Sequence, residues 1–513
     1  MTNPAAAMKM LITYAICIPL AIFLGYLLTN PMDYGTLGFL AFVVAALLSP
    51  VFIKWHYPIM LFGIGCPIML FFLPTSPPTW QAVVAMSLTI SIVERTLSNE
   101  RRFISVPAMT MPLMFLLGVI LVTMQLAGGI GFHQLGGSVG GGKKYIFCLL
   151  GIATFFALIS REIPANRRRL YITLYFGSAA LDILGDVFPH LPTPLNYGNL
   201  LIQASSGTLG TDVAVGVTRL GMVSAGCNAL AFLMLAKFGL RGIFFSPRVW
   251  RLPAFCLLVT AAQLGGFREA LISFMIVFTA LFILERLYQT RLLPVLVMAG
   301  IMGLALLVPL AKHLPYVYQR CLAVLPLDLD ASVRIDAQGS SEWRLAIWQA
   351  LTPQIPNYLL LGKGYALSAS DFQLMATSQG VASGLDAAGQ LDASQGALAL
   401  AGDYHSGPFS TIIPFGIWGA IGMTWLMSAA FWVVYRNYRY GDPELRTINT
   451  FLLALQILEI IMFLFIFGAF ELDIGYLART TGFSVALNGG VRRPQPQPAA
   501  VPRIKPLPQP QTA

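Results

Sequence analysis

The feature that most constrains this chain is a succession of apolar runs. Candidate spans lie at 10–28, 36–53, 57–74, 79–93, 105–127, 145–160, 170–187, 218–236, 252–267, 269–285, 292–310, 409–434 and 448–470. Runs of roughly 18–22 residues match the hydrocarbon thickness of a bilayer. Only 11% of the 513 residues are charged, whereas a soluble chain carries about a quarter. Mean hydropathy is +0.72. The expected fold is an all-α polytopic membrane protein with 12–14 transmembrane helices.

The net charge of +10 does not imply a nucleic-acid partner, because the basic residues fall in short loops between spans. With the N-terminus placed in the cytoplasm, inner connections hold 18 Lys and Arg, and the longer outer connections hold 9. That bias follows the positive-inside rule. It puts residues 311–408, the one long segment too polar for a bilayer, on the outer side. The C-terminal end conflicts with this count. Thirteen spans would leave it outside, yet residues 474–513 hold five basic residues and no acidic ones. Either 474–489 forms another membrane segment or one early short span is misread.

The chain divides into N-terminal transmembrane helices (1–310), an outer loop with short helices (311–408), C-terminal transmembrane helices (409–490) and a Pro/Gln-rich tail (491–513). The tail has no apolar period and reads as disordered, partly polyproline II. Residues 188–217 form the second-longest polar gap. Lys9 precedes the first apolar run, and no small-residue cleavage site follows it, so that run reads as a retained span. Five of the six cysteines lie inside apolar runs, and Cys321 stands alone in the long loop. No CxxC occurs, so neither a disulfide framework nor a metal knuckle is expected.

Several polar residues stand out. Arg268 follows Gly265-Gly266-Phe267 and opens a span whose N-terminus faces outward. Free N–H groups and the positive dipole end there suit an anion. The structural alternatives are an ion pair with Glu269 or snorkelling. Trp343, Ala346, Ile347, Ala350 and Leu351 trace an amphipathic helix. Ser340 or Ser341 can cap it, which places Arg344 in the first turn, a second phosphate-binding arrangement. A solvated surface arginine is the alternative. Gly362-Lys363-Gly364-Tyr365 reads chiefly as a tight turn and only weakly as a phosphate cradle.

His405 sits among Asp403, Tyr404 and Ser406, just before a span. Histidine titrates near neutrality and can take a hydroxyl proton. His56, His133, His190 and His313 have no such setting, and no His/Asp cluster has metal-ligand spacing, so no metal site is expected. Arg219 lies at an outer boundary, and Asn228, inside a span, suits a hydrogen bond to a neighbouring helix. Asp182 and Asp186 are one turn apart near an outer boundary, where they could line a cavity or pair with Arg219 or Lys143.

These passages, in this order, resemble the O-antigen ligase and O-antigen polymerase superfamily of bacterial inner-membrane enzymes. The resemblance covers residues 218–425: Arg219 to Asn228, Gly266-Phe267-Arg268, Trp343-Arg344 through Trp348 to Gly362-Lys363-Gly364, and His405 before a Gly-rich span. It implies a GT-C-like fold with one large periplasmic loop. It also implies a cofactor-free, metal-independent, inverting glycosyl transfer at the periplasmic face. It implies further a polyprenyl-diphosphate-linked glycan donor in the membrane lipid, and a glycan, lipid A-core or protein acceptor. By resemblance, Arg268 and Arg344 hold the diphosphate, His405 is the base or acceptor-orienting group, and Arg219, Asn228 and Lys363 support them. The family often has Asn after this histidine, and here Ser406 follows. A transporter or flippase of the same lipid-linked glycans is the rival class, and it would show broken spans in two repeated halves. A non-catalytic assembly component docking through the Pro-rich tail is a third.

Overall fold

The computed structural model describes residues 4–27, 29, 34–73, 76–98, 102–131, 141–204, 219–367 and 404–494. Helices of seven residues or more are α1 (Pro4–Leu27), α2 (Tyr34–Gly65), α3 (Thr79–Leu97), α4 (Pro107–Ala127), α5 (Gly142–Leu158), α6 (Arg168–Gly177), α7 (Gly221–Phe244), α8 (Arg251–Ala261), α9 (Arg268–Leu284), α10 (Leu292–Leu310), α11 (Tyr316–Leu322), α12 (Ala331–Leu351), α13 (Gly407–Tyr440), α14 (Arg446–Ile461) and α15 (Phe470–Asn488). No β-strand forms among the described residues.

Seven helices among the described residues are long and apolar enough to cross a membrane: Gly35–Gly65, Pro107–Ala127, Ala165–His190, Gly221–Phe244, Leu293–His313, Gly407–Tyr440 and Pro443–Ile466. This is a multi-pass membrane protein. The other expected spans fall on shorter or more polar helices, among them α5, α8 and α9 with 17, 11 and 17 residues. The expected spans 36–53 and 57–74 are joined as α2 across a non-helical Trp55 (φ −116°, ψ 16°). That helix stops at Gly65 because the residue before Pro67 is driven out of the helical region.

Residues 474–489, set against the C-terminal count above, lie in α15, a helix that packs back along α14. α14 ends in a π-turn, Met462–Ile466, and Phe467 is extended (φ −161°, ψ 127°). The chain then turns back. Asn449 and Asn488 exchange side-chain hydrogen bonds of 3.0 and 2.9 Å, Thr481 donates to Gln456, and Thr480 donates to Glu459 at 2.7 Å. Those pairs run in opposite directions, so the two helices are antiparallel along their length. Arg492 accordingly lies at the end of α13, where its N–H donates to Asn437 Oδ1 at 2.9 Å. α15 escapes an apolar scan because Glu471, Asp473 and Arg479 interrupt it. Residues 495–513, most of the tail, lie outside the described residues.

Two apolar cores hold the bundle. One gathers the second half of α2 with α3, α6, α7, α9 and α14. The other gathers α4, α5, α13 and α15. α15 bridges them: Phe483 stacks on Tyr175 with centroids 4.1 Å apart, and Gly475 lets α15 cross α5 at Gly151. Small residues at such crossings allow close backbone approach in membranes. The result is a bundle with two distinct ends. One end carries the turn before α9, the helices after α10 and the start of α13.

Candidate functional site

The site end is organised by α12. The expected helix starts near Ser341; the observed one begins ten residues earlier, with Asp330 as its N-cap. The apolar stripe begins sooner than expected, because Val333 and Ala337 are buried as Ile347 and Leu351 are. Ser341 therefore sits inside the helix, where its Oγ donates to the Ala337 carbonyl at 3.1 Å. Arg344 lies mid-helix, away from free backbone N–H groups, and the helix-terminus argument for it fails.

What α12 does instead is span the site. Arg268 is the first residue of α9, and its Nη1 donates to Ser341 Oγ at 3.4 Å. Arg344, one turn further along the same face, is half-buried and interacts electrostatically with Glu269. Its Nε is buried and makes no hydrogen bond among the described residues. Trp348, a turn beyond, donates from Nε1 to the Tyr404 carbonyl at 3.0 Å and stacks on Phe409. Ser341 to Trp348 is two helical turns, about 10 Å. The backbone beside His405 and the start of α9 are thus held on one helix face, with Arg344 between them.

His405 has φ +47°, a left-handed conformation costly for a residue with a Cβ. Its ring lies 5.1 Å from that of Phe467, the residue where α14 breaks. Gly468 and Gly407 pack backbone to backbone there, since a Cβ on Gly468 would lie 2.8 Å from Gly407 Cα. Ser410 Oγ accepts from Phe470 N–H at 3.0 Å. The start of α13 and the α14–α15 turn therefore hold the histidine from two sides. Asp403 lies outside the described residues.

The other candidates divide. Arg219 adjoins the turn before α9: Leu220 N–H donates to Leu264 O at 3.2 Å, and Arg219 acts electrostatically on the Cys321 thiol. Burial pushes that thiol up to about 11, with Arg320 and Arg219 pulling the other way. Asn228 Oδ1 is buried and accepts no hydrogen bond among the described residues, so the expected inter-helix bond through it is not formed. Lys363 belongs to a backbone strap. Its N–H donates to Ile413 O at 2.8 Å, and Gly364 N–H donates to Pro414 O at 2.9 Å. Gly362 is packed so tightly that a Cβ would lie 1.9 Å from Pro414 O. The turn reading of this passage holds: the Lys363 and Gly364 N–H groups are spent on α13, and the Tyr365 N–H donates to the Tyr145 hydroxyl at 3.0 Å. Asp186 caps α7, accepting from Met222 and Val223 N–H at 2.7 and 2.9 Å.

Two groups went unmarked in the sequence. Arg320 donates from Nη1 to Gly266 O at 3.1 Å, bracing the turn that presents Arg268. Glu471, at the start of α15, pairs with Lys144 at 2.9 Å and accepts from the Tyr365 hydroxyl at 3.2 Å. The available signal was a pair of acids, Glu471 and Asp473, in an otherwise apolar stretch. Among the described residues no group of His, Cys, Asp and Glu is arranged to hold a metal ion.

No protein family, curated protein or solved structure matches the chain.

Proposed function

We propose that the protein is a membrane glycosyltransferase that moves glycan from a polyprenyl-diphosphate donor to an acceptor at the periplasmic face of the bacterial inner membrane. The observation that carries this reading is the span of α12: Arg268 at Ser341, Arg344 one turn on, and the Tyr404-His405 backbone at Trp348. Two guanidiniums on one surface suit a diphosphate, which accepts bidentate hydrogen bonds. Arg344 has an N–H still without an acceptor among the described residues.

In the proposed reaction the acceptor hydroxyl attacks the anomeric carbon opposite the diphosphate. The new C–O bond forms as the bond to the diphosphate oxygen breaks. His405 takes the hydroxyl proton, and Arg268 and Arg344 stabilise the charge growing on the leaving lipid diphosphate. The anomeric centre is inverted.

The deciding experiment incubates purified protein with a lipid-diphosphate glycan and acceptor, in EDTA and without nucleotide. The expected result is free lipid diphosphate and extended acceptor of inverted configuration. Movement of the lipid between leaflets with none released would replace this reading by a flippase. Arg268→Ala and Arg344→Ala should each lower turnover by about 10²–10³-fold at normal abundance. His405→Ala should abolish it, and full activity in all three variants would end the assignment.

A further inference from the structure

We propose that the end of the bundle opposite His405 carries a second anion site, which takes the phosphate head group of an anionic phospholipid. This does not rest on the transferase reading. A cavity of about 890 Å³ opens there between α6, α7, the turn into α8 and the start of α14. Five cations line it, Arg168, Arg169, Lys237, Arg248 and Arg251, with Glu444 as the acid.

Arg251 is only 8% exposed. Its guanidinium is fixed over the Phe238 ring, 3.9 Å from the centroid, and Nη1 donates to Gly242 O at 2.9 Å. Its Nε is buried without an acceptor among the described residues. Arg168 repeats the pattern. Nη1 meets Asp442 at 3.2 Å and Glu444 at 3.5 Å, while Nε is buried and has no acceptor among the described residues. Asp442 and Glu444 thus answer one side of Arg168. Arg169, Lys237, Arg248 and Arg251 form no ion pair among the described residues.

Arg168 and Arg251 both line the cavity, and each keeps an Nε–H with no acceptor among the described residues, a costly state unless an oxygen is supplied. Phosphate does so, and it matches the fork of arginine. The cavity wall continues as Leu170, more than half exposed, and the half-buried Phe238, apolar surface that an acyl chain can use and a soluble anion cannot. Basic pockets between transmembrane helices bind cardiolipin and similar head groups in this way.

The test places full-length protein in phosphatidylcholine nanodiscs and titrates in cardiolipin, phosphatidylglycerol or inorganic phosphate. Bound lipid is counted by native mass spectrometry, and thermal stability is followed in parallel. Cardiolipin should be retained and should raise the melting temperature, phosphatidylglycerol less so, and inorganic phosphate only at millimolar concentration. The exposed triple variant Arg169→Glu, Lys237→Glu, Arg248→Glu should lose about a hundredfold in cardiolipin affinity, on the order of fivefold per cation. Arg251→Lys should weaken binding with the fold intact. Equal cardiolipin retention by wild type and triple variant would overturn the site. Inorganic phosphate binding as tightly as cardiolipin would overturn the lipid as its occupant.

Discussion

Two long helices break at a glycine, and the gaps are closed by different means. α7 breaks at Gly239 (φ 62°, ψ 177°), at the end away from His405. The Glu285 carboxylate closes that gap, accepting from Leu240 and Arg241 N–H at 2.9 and 2.8 Å. α13 breaks at Gly416 (φ 62°, ψ −158°), at the site end, just after Pro414. Here a distant stretch of main chain does the closing. Lys363 and Gly364 donate into the Ile413 and Pro414 carbonyls, and Ile417 donates to Leu359 O at 2.7 Å. Exposed backbone polar groups are not tolerated at membrane depth, so both gaps must be filled. A side chain fills one locally. A strap fills the other and, in doing so, fastens residues 359–364 to a helix long and apolar enough to cross a membrane.

The comparison can be broken from the strap side first. Gly362→Ala drives a Cβ into Pro414 O and should cost about 3 kcal/mol, the upper range for overpacking. Thermal melting should show the loss, and transfer activity should fall with it, because α12 reaches the strap through only the two short turns Thr352–Gln354 and Ile355–Tyr358. Glu285→Ala should cost about 1–3 kcal/mol by leaving two N–H groups without their charged acceptor. Its activity per folded molecule should remain that of wild type. If Glu285→Ala damages turnover as much as Gly362→Ala does, the two closures are not functionally distinct.

Smaller changes sharpen the same contrast. Gly339, inside α12, faces open space: a Cβ added there would meet no atom within 4 Å. Gly339→Ala should therefore stabilise by about 0.5–1 kcal/mol. Melting of the purified variant checks the sign. The smallest effect concerns the start of α12, where Asp328 pairs with Lys312 and Arg334. The Lys312 hydrogen bond comes first among the causes that hold the Asp328 carboxyl below the usual carboxylate range. A depressed value means that this link is complete above the ordinary carboxylate pKa of about 4. It is lost as pH falls through the lowered value. Amide protection factors across 331–337, taken relative to the intrinsic rate at each pH, should therefore fall at pH 3, and Asp328→Asn should reproduce that fall at pH 6.

Much of the fold was legible because bilayer thickness leaves a strong mark on sequence. α4, α7 and α13 lie close to the apolar runs that announced them. α15 was legible in part: residues 474–489 stood as a possible further segment, and the polar residues that obscure it find partners a linear scan does not see, Glu471 with Lys144 and Thr480 with Glu459. The site was legible in part. The Gly265-Gly266-Phe267 turn does start a helix at Arg268. The start of α12 was misjudged because Ser340 and Ser341 read as a cap, while burial of Val333 and Ala337 carries the helix through them. Arg320 and the strap could not be found from spacing, since each acts through contacts between distant parts of the chain.

The strap also fixes a height. Its hydrogen bonds are to particular carbonyls of α13, so the loop cannot rise or sink without breaking main-chain pairs. Any group carried on α12 is then held at a set level along α13. A substrate anchored by its own tail would meet that group at one depth, and its reach would be measured by the protein instead of by the bilayer.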